Sequence, residues 1–598
     1  MLAAPGLPAL ELQNRLSEQG SPYLAMHAKD PVHWQPWGEA ALEMGRANGR
    51  LIFVSVGYYA CHWCHVMQRE SFQDRELASL LNRHFIPVKV DREVHPVLDR
   101  QLQRFVEATA GRAGWPLNVF LTPGGDPLVG TTYQPPKVFE GFARRLLSRW
   151  RDDRQHLERL AGDAATALER QMSRGRKPVD VSPQGLTQQF VAAAHERADR
   201  LQGGFGHQSK FPMVPQLQTL LGLAGEDQWG WLPDFLVLTL DQMAGQGLRD
   251  HVGGGFFRYT VDPSWQTPHF EKMLYTNAML ADLYFEAADV FQHPAYADVA
   301  RDTLAFMARS MDSGRGLVAS LSAVDAGGEE GGFYLWQASQ VRDLLGDDLW
   351  PVVRLAWGLQ GQPGLEGGHL PRRAVAVERV AERLDLSERQ VRERLDTARG
   401  RLRSDRERTR ALPRDGKRLA AWNGLALSAF AHARDEPPLR DTGQSIRDFL
   451  MGLWDGSQLQ RGRDPAGNGL GPGRLEDYAL VAAGLLDWAD AGGDARARSA
   501  AAAMAGAAWA RFYDGGWCPG KGAGPLPLAT CVRRHLPDEA ITSPSAALLS
   551  VSRRLQGREE ALKGYLAEAQ TGPTSAVTAR PLAYARTVAW LAGQSQAR

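Results

Sequence analysis

A chain of 598 residues is too long for one hydrophobic core, and 43% hydrophobic with 23% charged side chains is an ordinary globular composition. Its 69 basic and 68 acidic side chains leave a formal net charge of +1, which excludes an electrostatic footprint for nucleic acid or an anionic membrane. No apolar run is long enough for a bilayer, the first twenty residues lack the basic start of a signal peptide, and four cysteines are too few for a disulfide scaffold; a soluble, cytoplasmic, multi-domain protein is expected.

The run Leu51 to Val56 is apolar and β-branched and is closed by Gly57, so it reads as a buried strand. After Cys64 the spacing of Val66, Met67, Phe72, Leu77, Leu80 and Leu81 turns helical. Phe85 to Val90 reads as a second buried strand, and Leu98, Leu102, Phe105 and Val106 mark a further helix. Trp115 and Pro116 introduce a third strand through Pro123. Strand, C-x-x-C, helix, strand, helix, X-Pro, strand is the order of a thioredoxin-like α/β unit.

Within this order lies GYYACHWCHVM, from Gly57 to Met67. Cys61 and Cys64 can be a redox pair, the start of a zinc site, a haem attachment string or two packed thiols. A C-x-x-C directly after a buried strand puts Cys61 at a helix N-terminus, where unpaired N–H groups favour thiolate. Cys61 is then the exposed, attacking thiol, Cys64 the resolving one, and His62 a tuning group. Pro116, if cis, sits against the pair. Haem attachment needs export and a second axial ligand. Zinc needs about four ligands, which His62 and His65 do not easily complete. Redox chemistry ranks ahead of simple packing, then zinc, then haem; no metal site and no cofactor are expected.

GYYACHWCHVMQRESFQD, FIPVKVDRE, GWPLNVFLTP and GTTYQPP, in this order, resemble the spermatogenesis-associated thioredoxin-like family. That resemblance implies a thioredoxin-like domain followed by an all-α (α/α)6 toroid of the six-hairpin glycosidase type.

Met172 to Pro183 is polar, with glycine and two prolines, and reads as a linker. Beyond it helical periodicity dominates. A short pattern recurs: Gly203-Gly204-Phe205, Gly254-Gly255-Phe256, Gly331-Gly332-Phe333 and Gly515-Gly516-Trp517. Double glycine allows a tight turn where a helix stops, and the aromatic can fill the gap between helices. Repeated helical hairpins follow from this; closure into a ring follows from the resemblance.

Polar chemistry concentrates at His251, Arg258, His269, Glu271 and Lys272, where Thr267 and Pro268 read as N-cap and first residue of a helix. Further blocks resembling the family contain Asp325, Trp422, Asn423, Asp477 and Tyr478. The chain departs from the family pattern at Gly327, where an acidic residue is expected, and at Ala546 and Ala547, where glycine and asparagine are expected. His251 and His269 could act as acid and base on a sugar, and Glu271, Asp325 or Asp477 as carboxylates. For each residue alone, capping or pairing is at least as good a reading; as a cluster they suit a polar ligand. Arg372 to Arg410 reads as a solvated helical face or an insertion, and Cys518 and Cys531 as free thiols.

The expected organisation is a thioredoxin-like domain over 1–170, a linker over 171–185 and the toroid over 186–598. The first functional reading is a thiol–disulfide redox protein whose toroid binds a polar, sugar-like ligand or a partner protein with a thiol or disulfide. The alternatives are a carbohydrate-acting enzyme, epimerase-like or glycosidase-like, and a non-enzymatic scaffold. Neither nucleic acid nor membrane is an expected partner.

Overall fold

The computed structural model describes residues 12–174, 178–521, 535–557, 559–569 and 573–593. Two compact units divide the chain. The first comprises Met1–Lys177 together with Arg461–Arg474 and Arg511–Arg534, and the second comprises Pro178–Gln460, Leu475–Ala510 and His535–Arg598. Among the described residues no helix is long and apolar enough to cross a membrane.

The first unit opens with a short helix, α1 (Pro22–Met26), capped by Ser21, whose Oγ accepts from Leu24 N–H. Strands β1 (Gln35–Pro36), β2 (Leu51–Gly57), β3 (Phe85–Asp91), β4 (Leu117–Leu121) and β5 (Pro127–Thr131) form one sheet in the order β1-β3-β2-β4-β5. β1 and β2 run parallel to β3, while β4 is antiparallel to β2 and to β5. Helices α2 (Glu39–Asn48), α3 (His62–Met67), α4 (Arg75–His84), α5 (Pro96–Ala110), α6 (Pro136–Asp152) and α7 (Arg154–Arg174) complete the unit.

Every residue of β2, β3 and β4 is buried, as expected of continuous apolar runs covered on both faces. Ile52, Val54, Val56, Ile86, Val88 and Val90 pack with Leu98, Leu102 and Phe105 of α5. Phe53, one register step away, turns to the other face and meets Trp34, Phe72, Phe120 and Phe139. The strands and α5 lie where the sequence places them. The helix after Cys64 does not run on: α3 ends at Met67, a wider π-turn covers Gln68–Phe72, and α4 restarts behind Asp74, whose Oδ1 accepts from Leu77 N–H at 2.7 Å. The expected linker is helical through Arg174, and α8 begins at Pro183.

The second unit contains α8 (Pro183–Arg197), α9 (Val214–Leu221), α10 (Leu232–Gly245), α11 (Leu274–Phe291), α12 (Pro294–Ser310), α13 (Ala338–Ala356), α14 (Val377–Leu384) and α15 (Glu388–Thr409). It continues with α16 (Ala420–Ala431), α17 (Pro437–Met451), α18 (Leu475–Gly492), α19 (Ala495–Phe512), α20 (Pro544–Leu555), α21 (Glu560–Ala569), α22 (Ser575–Ala579) and α23 (Ala585–Leu591). Six of these form an inner ring. α9, α11, α16, α18, α20 and α23 each pack on the next, and α23 packs back on α9.

Burial separates inner from outer helices. α16 and α18 bury nearly every residue, whereas α17 buries only Leu439, Gly443, Ile446 and Leu450, the difference between a surrounded helix and an amphipathic one. α16 and α18 also approach closely: a Cβ on Gly424 would lie 2.4 Å from Leu480 O, and one on Gly484 2.2 Å from Gly424 O. The fold is therefore a thioredoxin-like α/β unit and an (α/α)6 toroid.

The double glycines do turn the chain. Gly203, Gly204, Gly254 and Gly255 all have positive φ, while at the third and fourth repeats Gly331 and Gly515 do so and Gly332 and Gly516 do not. Phe205 packs on Phe235, and Phe256 stacks on Tyr284 at 5.6 Å. Arg372 to Arg410 is more than a solvated face: Val380, Val391, Ala398 and Leu402 pack against α13, and Arg406 is buried.

Candidate functional site

In the first unit, Cys61 and Cys64 are bridged by a disulfide. Cys61 is the N-cap of α3, and its Sγ accepts from Cys64 N–H at 3.2 Å. His62 is the first residue of the helix. Cys61 and Cys64 are 4% and 1% exposed, so the first cysteine is covered rather than open; Trp63 between them is 43% exposed. The Trp115–Pro116 bond is cis. Because Leu117 pairs with Val56 across β4 and β2, Pro116 stands beside the end of β2 from which the cysteine turn departs. The Trp115 ring lies 5.8 Å from Tyr58 and 3.8 Å from the Arg92 guanidinium.

Beneath the pair lies a buried polar group that the motif does not announce. Lys89 of β3 donates to Ser55 Oγ at 3.1 Å, and its ammonium lies 4.4 Å from the Phe72 ring, 5.0 Å from Trp34 and 5.4 Å from Tyr23. Burial pulls its pKa down to about 7, opposed by Asp30. Asp30 is bonded to His27 and accepts from Trp34 Nε1 in the core, and it also accepts from Nε2 of the exposed Gln73. Burial and the Lys89 charge hold His27 neutral. A lysine inside the apolar run Phe85 to Val90 was a visible signal for this cluster; nothing in the local sequence singles out Tyr23.

In the second unit the predicted residues fall into separate groups. Arg258 Nη1 meets Glu271 Oε1 at 3.1 Å, and Arg258 Nε donates to Tyr275 Oη at 2.9 Å; Tyr275 packs on Trp422 at 4.9 Å. His269 Nδ1 lies 2.7 Å from Glu330 Oε1, and its ring touches Tyr259, which stacks on Phe211 at 4.5 Å. Glu271 Oε2 is buried with no hydrogen-bond partner among the described residues. Phe211 is 40% exposed. Sequence reasoning did not single out Phe211 or Tyr259, which only the fold brings to this group.

Lys272 belongs to a different network. Its Nζ donates to Asp250 Oδ2 at 2.8 Å and to Gly254 O at 2.7 Å, and Arg406 Nη2 donates to the same carboxylate oxygen at 3.0 Å. Lys210 repeats the device one hairpin earlier, bonding Asp199 and Gly203 O. Each lysine thus pins a double-glycine turn. The Arg406 and Lys272 charges keep the Asp250 carboxyl far below its ordinary range, and burial draws Lys272 down to about 8. His251 bonds Gln246 O at 3.3 Å, and burial lowers its pKa to about 3, so it is a neutral, half-buried imidazole.

Asn423 clamps Leu317 by its N–H and carbonyl, as Asn277 clamps Phe256. Asp477 Oδ1 accepts from Ala421 N–H, and Tyr478 Oη from Leu459 N–H. Asp325 Oδ1 accepts from Gly327 and Glu329 N–H within its own turn.

Two further expectations change. No helix starts at Thr267: Pro268–His269 pairs with Tyr259–Thr260, Lys272–Met273 pairs with Ser320–Leu321, and α11 begins only at Leu274. Strand pairing has claimed the backbone N–H groups that an N-cap would otherwise have served. Cys518 is disulfide-bonded and not a free thiol; Cys531 lies outside the described residues. Among the described residues no group of three or more His, Cys, Asp or Glu side chains is arranged to hold a metal ion.

Comparison with known proteins adds four likenesses. A thioredoxin-like, DsbH-type family model, described as a protein of unknown function, DUF255, matches residues 13–169. Spermatogenesis-associated protein 20 of Mus musculus is 34% identical over 534 residues, covering 79% of this chain and 66% of that protein. The Homo sapiens protein of the same name is 33% identical over 553 residues, covering 81% of this chain and 68% of its own length. The chain thus spans about two thirds of the length of the curated relatives it matches. Among solved structures, a cellobiose 2-epimerase from Bacillus thermoamylovorans covers 65% of this chain and 85% of its own, at 10% identity and a TM-score of 0.41.

Proposed function

We propose, for a chain that belongs to the spermatogenesis-associated protein 20 family, a thiol–disulfide exchange function, with a helical ring that binds a polar ligand or partner. The observation that carries this reading is the Cys61–Cys64 bridge at the head of α3, beside the end of β2, with a hydrogen bond already aimed at Cys61 Sγ. In the reduced protein Cys61 attacks a substrate disulfide, and Cys64 then attacks Cys61 Sγ and releases the substrate as a dithiol. The cysteine pair is oxidised as the substrate is reduced. Exposed Trp63 gives an incoming chain an apolar surface next to the reacting sulfur.

The test is equilibration of the full chain in glutathione redox buffers, with the Cys61–Cys64 state read by mass spectrometry. One two-electron transition, abolished by Cys61→Ser, is expected. A pair that stays in one state across the buffer range overturns the reading.

A second reading rests on a separate observation. Exposed Phe211 stacks on half-buried Tyr259 beside the His269–Glu330 pair and Glu271 Oε2, which has no hydrogen-bond partner among the described residues. Aromatic faces with converging polar groups suit a polar ring such as a sugar. Sugars and N-acyl sugars titrated against wild type and His269→Ala test it: saturable binding lost in the variant is expected, and silence in wild type removes the reading.

A further inference from the structure

When the Cys61–Cys64 bond opens, an electron pair must settle on Cys64 Sγ. That residue is 1% exposed, so water cannot solvate the thiolate, and a buried charge without a donor is costly. The partner has to come from the core.

Tyr23 of α1 stands at that place. It is wholly buried, and its hydroxyl has no hydrogen-bond partner among the described residues. A Cβ added at Gly57 would lie 2.2 Å from Tyr23 Oη and 2.8 Å from Cys64 Sγ. Hydroxyl and sulfur therefore converge on the same spot, which a residue without a Cβ leaves open. Leaving a buried hydroxyl unbonded is costly. In the oxidised protein, then, phenylalanine would serve Tyr23's packing role better than tyrosine does.

Burial and the neighbouring Asp91 and Asp30 carboxylates keep the phenol protonated. The group available to the sulfur is thus an O–H donor and not a phenolate. Below about pH 7, where Lys89 keeps its proton, its ammonium 5.4 Å from the Tyr23 ring adds positive potential to the same pocket.

We propose that Tyr23 donates an O–H···S hydrogen bond to the Cys64 thiolate formed on opening of the disulfide, a bond absent from the oxidised protein. The proposal rests on the thiol–disulfide reading above. In the oxidising direction a thiolate of a dithiol substrate attacks Cys61 Sγ. The Cys61–Cys64 bond breaks, and its electron pair goes to Cys64 Sγ, where Tyr23, keeping its proton, bonds it. The second substrate thiol loses its proton to solvent and attacks the substrate sulfur joined to Cys61, releasing Cys61 as thiolate. The substrate leaves oxidised to a disulfide, and the cysteine pair is left reduced. In the opposite direction the same bond favours the thiolate form of Cys64 that resolves the mixed disulfide.

Tyr23→Phe in the full chain tests this with three readouts. In a Cys61→Ser background, the pH midpoint of Cys64 alkylation by iodoacetamide, quantified on the Cys64 peptide, should rise by about one unit, a tenfold change in acid constant. With both cysteines present, resolution of a mixed disulfide with glutathione should slow by about tenfold at neutral pH, the same change read as thiolate fraction. The oxidised variant should be as stable as wild type or more so, a result that mere loss of packing would not give. An unchanged Cys64 midpoint, in a protein whose wild-type pair still exchanges with glutathione, overturns the proposal. So does a destabilised oxidised variant, because the hydroxyl would then be bonded before the disulfide opens. If the wild-type pair does not exchange at all, it is the thiol–disulfide reading that fails, and the two failures are told apart.

Discussion

A lysine sealed among aromatic rings carries its own pH signature. Lys89 is wholly buried, and burial lowers its pKa from 10.5 to about 7. The sign follows from proton counting. Between about pH 7 and pH 10 the unfolded chain binds this proton and the folded one does not, so stability rises with pH across that window. The contribution reaches ~1.4 kcal/mol per pH unit where the proton difference is complete. Urea unfolding from pH 7 to pH 9.5 should show wild type gaining on Lys89→Met as pH rises; parallel curves would show that Lys89 keeps its proton in the core. His251 has the opposite relevance. A neutral imidazole with a depressed pKa, bonded to Gln246 O, does structural work, so of the two histidines read as acid and base only His269 sits beside a carboxylate and an open aromatic surface.

At the scale of elements, the α16–α18 contact depends on what two glycines lack. With Gly424 O 2.2 Å from where a Gly484 Cβ would stand, Gly484→Ala cannot be absorbed by turning a side chain, because the obstacle is backbone. The helices must separate, and a forced gap between well-packed elements costs about 1–3 kcal/mol. The variant should therefore unfold at lower urea in the toroid while the Cys61–Cys64 exchange equilibrium is unchanged; unaltered stability would mean that the helices already stand further apart. The sequence shows much at this scale. Continuous β-branched runs announced β2, β3 and β4, since strands buried on both faces admit little else. The helix boundary at Thr267 was misread because cap chemistry is local while the pairing of Pro268–His269 and Lys272–Met273 is not. Arg406 escaped notice for a related reason: on a helix as charged as α15, only the fold tells the arginine on Asp250 from its solvated neighbours.

At the scale of the whole molecule, the sequence could show hairpins but not what the last one meets. Repeats with aromatic plugs suit an open solenoid as well as a ring, and only the return of α23 to α9 makes the second unit closed. In the same way, no periodicity reveals that Arg461–Arg474 and Arg511–Arg534 rejoin the first unit, where the Arg461 guanidinium donates to Glu93 O at 3.0 Å. Closure has a measurable consequence. In an open array each repeat feels only its neighbours, so damage at one end stays at that end. In a ring the last inner helix supports both its predecessor and the first. Val588 is fully buried on α23, and Val588→Asp places an unpaired charge on the buried face of that helix, a change expected to cost several kcal/mol locally. Hydrogen exchange should then quicken in α20 and, 370-odd residues away in sequence, in α9, while α16 and α18 on the far arc keep their protection. Faster exchange in α20 with α9 untouched would describe an open solenoid and refute the ring.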